Sequence, residues 1–351
     1  MIEVYFATNR KVESEGPDPA FGNGFNESGP HALRFGSADV RKRRGEYVVE
    51  RIRLAPEKLV EGASEKEVLG SKEIFEALRE RMQSENIDVI CLIHGYASDV
   101  ESALARAAEL KDKYRVQGRE PLVFVFSWPS DGAMVPLMSY YSDRDDARAS
   151  GLAIARAFLK LRDFLIKIGR ERHCEQSIHL VAHSMGNYAL RHAFQAIRGE
   201  LGDRLPQIID NIFLMAADED DNAFEHDHKL RLLPALAKAV HVYYSRGDKA
   251  LMISDQTKRN PDRLGAEGPR IRENIPRKIS LVDCRDVDEA KGDISNHQYY
   301  RLRPEVVADV NQVLSGKSPD EIAGRTYIPD DRSYRVKPKA KAKAKRGKAR
   351  K

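Results

Sequence analysis

Cysteine is scarce in this sequence. Its 351 residues hold three, Cys91, Cys174 and Cys284, widely spaced and without a C-x-x-C pair. That argues against a disulfide scaffold or a cysteine-based zinc site, and fits a reducing cytoplasm. Long apolar runs are missing too. None approaches the roughly 18 residues of a membrane span, so no transmembrane segment is expected. The first ten residues lack a basic region, and Glu3 interrupts the short apolar start, so no secretory signal is expected. No internal repeat is visible, and Trp128 is the only tryptophan. With 41% hydrophobic and 32% charged residues, the chain is neither a membrane protein nor wholly disordered. Its length accommodates one large domain with appendages, or two, around an ordinary core.

The formal net charge of +5 is unevenly spread. Residues 337–351 carry seven Lys, two Arg and no acid, so the rest of the chain stands at −4. The body is mildly acidic, and only the tail is basic. Fully extended, this tail spans about 50 Å at ~3.3 Å per residue. Its charge suits non-specific contact with polyanions, such as nucleic acid or an anionic membrane. Without aromatic residues to stack on bases, a disordered solubilising tail is the favoured reading. Residues 316–336 are polar and read as a linker.

The body alternates strand and helix. Short apolar strands are expected near Ile2–Phe6, Tyr47–Leu54, Val89–Ile93, Leu122–Phe126, Ser177–Val181, Ile208–Met215, His241–Tyr244 and Lys278–Val282. Helical spacing appears over 71–84, 100–116, 144–168, 186–198, 229–239 and 304–314. Residues 11–44, rich in Gly, Pro, Asn and charge, read as a loop insertion. Apolar strands alternating with helices imply a mostly parallel, twisted sheet of about eight strands with helices on both faces.

The most informative stretch is Ile178-His179-Leu180-Val181-Ala182-His183-Ser184-Met185-Gly186-Asn187. An apolar strand runs into a serine flanked at two residues by Ala182 and Gly186, then into a helix. This is the G-x-S-x-G nucleophile elbow with alanine in the first place. Serine needs a base and an orienting acid. In this architecture the order along the chain is Ser, acid, His. The strand ending at Tyr244 runs into Ser245-Arg246-Gly247-Asp248, and only His297 follows among the histidines. The candidates are therefore Ser184 as nucleophile, Asp248 as acid and His297 as base, with Asp218 as the alternative acid. Two N–H groups should face the developing oxyanion. Met185, after the nucleophile, offers one. The turn His94-Gly95-Tyr96 offers the other through Tyr96. His94, Gly95, Trp128 and His183 are candidate pocket residues, and the segment 129–146 could cover the site. The acidic run 218–221 and His226-Asp227-His228 read as solvated loops, since neither forms a complete ligand set. No metal or cofactor is expected.

These residues carry a resemblance. Tyr5-Phe6-Ala7-Thr8-Asn9-Arg10, Ile93-His94-Gly95-Tyr96, Phe126-Ser127-Trp128-Pro129-Ser130, His183-Ser184-Met185-Gly186-Asn187, Ala217-Asp218-Glu219-Asp220, the Ser245–Leu251 block and Asn296-His297 span about residues 2–315. Together they resemble the α/β-hydrolase superfamily and, within it, the bacterial esterase/lipase-like family catalogued as domain of unknown function 900. The resemblance implies an α/β-hydrolase domain over 1–315 and a metal-free Ser-His-Asp hydrolase. It gives no substrate. The expected activity is cleavage of a small-molecule carboxylic ester through an acyl-serine. Acyl transfer or amide cleavage by the same triad, and a non-catalytic binding protein anchored by its tail, are the alternatives.

Overall fold

The computed structural model describes residues 1–56, 69–130, 138–168, 174–256 and 262–339. The tail beyond Lys339, and residues 131–137 of the expected cover, lie outside them. The strands are β1 Ile2–Thr8, β2 Arg10–Ser14, β3 Ala20–Phe25, β4 Arg34–Arg43, β5 Glu46–Leu54, β6 Val89–Ile93, β7 Leu122–Ser127, β8 Ile178–His183, β9 Ile209–Met215, β10 Ala237–Tyr244, β11 Ile279–Asp283, β12 Arg325–Ile328 and β13 Ser333–Val336. The helices are α1 Gly70–Glu85, α2 Val100–Lys113, α3 Met138–Lys167, α4 Gly186–Leu201, α5 Lys249–Gln256, α6 Leu264–Glu267, α7 Tyr299–Leu302 and α8 Pro304–Leu314.

Successive residues of β6 enter opposite faces of the sheet. Val89 and Ile93 pack with α1, α3 and α4, while Ile90 and Leu92 pack with α2 and α8. A strand buried on both faces has no polar side, which is why its sequence is continuously apolar. The flanking helices follow ordinary rules. In α1, Ile74, Leu78 and Met82 form the buried stripe, four residues apart. α2 starts at Asp99, whose side chain accepts the Ser102 N–H at 2.8 Å.

One sheet of eleven strands runs in the order β12-β13-β11-β10-β9-β8-β6-β7-β1-β4-β5. Eight strands, from β13 to β1 in that order, pair in parallel. β4, β5 and β12 add on through antiparallel pairings. The sheet is thus larger than the eight strands expected. Residues 11–44 are not a loop: they contain a separate β2–β3 hairpin and β4. Gly36, within β4, contributes to the glycine-rich composition that reads as a loop. A side chain there would meet the Arg53 carbonyl oxygen at 2.2 Å and the Phe6 ring at 2.6 Å, so close packing inside the strand pair demands glycine. Residues 316–336 are not a simple linker either, because β12 and β13 complete one sheet edge. Both strands are only four residues long and mix polar with apolar residues, so no apolar run marks them. The helix expected over 229–239 is a single 3-10 turn, Leu233–Leu236, followed directly by β10. Pro234 lacks the N–H that a longer helix needs.

From β6 the chain passes to β7 on one side and then, through α3, to β8 on the other. The turns after β6 and β8 therefore face each other across the topological switch point, at the carboxyl ends of the strands, where open α/β sheets bind ligands. Among the described residues, no helix is long and apolar enough to cross a membrane.

Candidate active site

β8 ends at His183, and the chain reverses into α4 at Ser184. Ser184 has φ +53°, in the left-handed region. That conformation costs a non-glycine residue roughly 1–2 kcal/mol and persists only where the surroundings impose it. Here they do. The Ser184 N–H donates to Met215 O at 3.0 Å, and its carbonyl accepts the N–H groups of Asn187 at 3.0 Å and Asp218 at 3.1 Å. Asn187 Nδ2 donates to the carbonyls of Ala182 at 3.0 Å and Ser184 at 3.1 Å, tying the strand end to the turn. Asn187 was only a motif letter in the sequence. A short amide three residues after the serine was the available signal.

Two glycines let the turns touch. A Cβ on Gly186 would lie 2.5 Å from the carbonyl oxygens of both Ile93 and His94, and one on Gly95 would lie 2.7 Å from Ser184 Cβ. Gly186→Ala must push β6 away from α4, and is expected to cost about 1–3 kcal/mol by overpacking. Thermal denaturation should show a lower Tm. An unchanged Tm would contradict this packing.

The loops after β10 and β11 bring Asp248 and His297 together. His297 Nδ1 donates to Asp248 Oδ2 at 2.7 Å, and Asp248 is fully buried. Lys249 N–H to Ser295 O at 2.8 Å and Asn296 Nδ2 to Gly247 O at 3.2 Å lock one loop to the other. Burial opposes charge on the His297 ring, but the Asp248 carboxylate, then Asp293 and Asp218, outweigh it and raise its pKa above the ordinary histidine value. The proton on Nδ1 leaves Nε2 as the acceptor. The Ser184 hydroxyl, 6% exposed as a residue, makes no hydrogen bond among the described residues. Such bonds often tighten only with substrate bound.

His183 lies behind His297. Its Nε2 hydrogen-bonds His297 O at 3.3 Å, and its ring stacks on Tyr300 at 4.4 Å. Burial first, then the nearby His297 charge, push its pKa well below the ordinary value, so it is neutral. His94 is also neutral: burial, then Arg10, lower its pKa to about 3. Its Nε2 accepts the Trp128 backbone N–H at 3.1 Å, while the Trp128 indole N–H donates to His94 O at 2.8 Å. The two rings stack at 4.9 Å. Trp128 is fully buried and underpins the turn after β6, so neither ring is an open pocket wall. The edge of the site is aromatic: Tyr96 meets Tyr140 at 5.8 Å, and Tyr188 carries the Arg144 guanidinium at 3.6 Å. The Met185 N–H, at the start of α4, has no hydrogen-bond partner among the described residues. A cavity of about 630 Å³ under α1 and α3, between Phe75, Leu78, Phe158 and Leu161, is not lined by Ser184, Asp248 or His297.

Asp218, the alternative acid, is held by other side chains. It accepts the Tyr140 hydroxyl and lies 3.8 Å from Arg144 and 3.4 Å from Arg263. The 218–221 run is not solvated as expected. Asp218 and Glu219 are buried, Glu219 pairs with Arg191 at 2.9 Å, and Asp220 pairs with Lys229 at 2.6 Å.

A mostly parallel sheet with helices on both faces, and a strained serine at its switch point, define an α/β hydrolase. The family of alpha/beta hydrolases of unknown function, DUF900, matches residues 71–317, and the chain belongs to it. No curated protein matches the chain.

Proposed function

We propose that the protein is a serine hydrolase that cleaves a carboxylic ester through an acyl-serine intermediate. The observation that carries this reading is the buried Asp248–His297 pair, 2.7 Å apart, in a site that also presents a serine on a left-handed turn. In this reading His297 Nε2 takes the Ser184 proton as Oγ attacks the ester carbonyl. Asp248 holds the imidazole in the productive tautomer and stabilises the imidazolium. The oxyanion is received by the N–H groups of Met185 and Tyr96. His297 then returns the proton to the departing alcohol. Water, activated by the same imidazole, attacks the acyl-serine and releases the acid.

The His297 environment gives this reading a pH signature. The base works only when neutral, and its pKa is raised. Activity should therefore increase with pH, with a midpoint in kcat/KM above the ordinary histidine value of about 6.5. Rates on a neutral ester across pH 5 to 9 check this. A midpoint below that value would contradict the assignment. The same pair affects stability. Because the folded pKa is raised, the stabilisation is fully present below the unfolded pKa and is lost as pH rises through the folded one.

Hydrolysis and transfer differ in the acceptor of the acyl group. Product analysis with competing alcohols and amines separates them. Turnover that requires such an acceptor would replace hydrolysis by acyl transfer with the same residues.

A further inference from the structure

The opening Thr8-Asn9-Arg10 and the Ser127–Ser130 block have no part in the triad, yet they bear directly on the turn after β6. β1 pairs in parallel with β7, with Thr8 opposite Ser127, so Arg10 emerges at the same sheet edge as the site. Its side chain is 1% exposed. Nη2 donates to Ser98 O at 2.6 Å, Nη1 to Ser130 O at 3.1 Å, and Nε to Ser127 Oγ at 3.0 Å. Thr8 Oγ1 donates to Ser127 O at 2.6 Å and accepts the Arg10 N–H at 3.1 Å. One guanidinium therefore joins the turn after β6 to the turn after β7.

The joined turn is strained. Ala97, between Tyr96 and Ser98, has φ +53°. A non-glycine residue holds that conformation only when its neighbours over-determine it. Ser98 N–H donates to Ser130 Oγ at 3.1 Å, Ala97 N–H to Asp143 Oδ2 at 3.4 Å, and Ser130 Oγ to the same carboxylate. Arg10 closes this set from the sheet side. Among the described residues no carboxylate lies within ion-pair distance of it; burial opposes its charge and lowers its pKa to about 10, while Asp99, Asp143 and Asp146 favour the charge from further off. Its hydrogen bonds all go to neutral oxygens, so a charged fork is kept buried to hold these turns. Only arginine's rigid fork reaches three acceptors on two turns at once; lysine presents a single point.

Building on the serine-hydrolase reading, we infer that Arg10 is a positioning residue: it sets the 95–98 turn so that the Tyr96 N–H meets the oxyanion. It touches no substrate. It acts on the transition state alone, because the planar ester makes a weaker demand on donors placed for the oxyanion.

The test uses the full chain with Arg10→Met and Arg10→Lys. Each preparation is titrated with a fluorophosphonate, so that kcat is expressed per reactive serine. The expected result is a kcat lowered by roughly 10- to 100-fold with KM nearly unchanged in both variants. Affinity for a tetrahedral boronic acid should weaken in parallel, while that for a planar ketone should hold. If Arg10→Met does not fold, Ser130→Ala, which cuts the Ser98 link, should show the same kcat and boronate pattern to a smaller degree. Normal kcat per titrated serine and unchanged boronate affinity, with only a lower Tm, would overturn the inference and leave the hydrolase reading intact. Wild-type protein without phosphonate labelling at Ser184 would overturn both.

Discussion

Asp248→Asn is expected to lower kcat by about 10⁴-fold, with KM changed little. The asparagine keeps the shape and the contact but favours the wrong imidazole tautomer, so Nε2 carries a proton when it should accept one. A second consequence separates this from general damage. The Asp248 charge outweighs burial in raising His297, with Asp293 and Asp218 assisting. Without it, burial is opposed only by Asp293 and Asp218, and the residual activity should have its pH midpoint moved down. Asp218→Asn should behave differently. That carboxylate faces Tyr140, Arg144 and Arg263 rather than the imidazole nitrogen. Its loss leaves buried cations less compensated, an effect of about 3–5 kcal/mol where one partner of a buried pair is removed. The expected outcome is a lower Tm with kcat per folded molecule within about tenfold of wild type. Steady-state kinetics over pH and thermal denaturation on both variants check this. The reverse pattern would make Asp218 the acid.

Ser184→Ala is expected to remove about 10⁶-fold of kcat, the scale seen when a triad nucleophile is deleted. It should leave the fold alone. Alanine occupies the left-handed turn with nearly the same strain as serine, and the bonds that impose the conformation come from backbone atoms of Ser184, from Asn187 and from Asp218. Among the described residues the hydroxyl makes no hydrogen bond whose loss would register. The Tm should therefore match wild type while turnover vanishes. Esterase turnover at wild-type rate in the folded variant would place the chemistry elsewhere.

The legible parts of this protein were those where one side chain has one job. Apolar runs such as Val89–Ile93 and Leu122–Phe126 announce strands buried on both faces, and they are the parallel centre of the sheet. The strand-turn-helix around Ser184 stood out because a sharp reversal needs small neighbours. The order of serine, acid and histidine named three residues, of which the fold pairs Asp248 with His297. The illegible parts depend on contacts distant in sequence. β4 was hidden because Gly36 serves the approach of Phe6 and Arg53, neither of which is local. β12 and β13 were hidden because each is only four residues long and mixes polar with apolar residues. Trp128 and His94 look like pocket residues in a string of letters, yet their polar atoms are turned on each other. Arg10 stood in the sequence only as a letter of the opening Ala-Thr-Asn-Arg motif; its role was not legible, since its partners lie about 90 to 120 positions away.

The most direct measurement of the central claim is reaction of the purified protein with a fluorophosphonate, followed by peptide mapping of the adduct. The account predicts one adduct per chain, on Ser184, formed faster as pH rises through the His297 midpoint and absent from Ser184→Ala. A folded protein that forms no adduct, or that carries it on another residue, would contradict it.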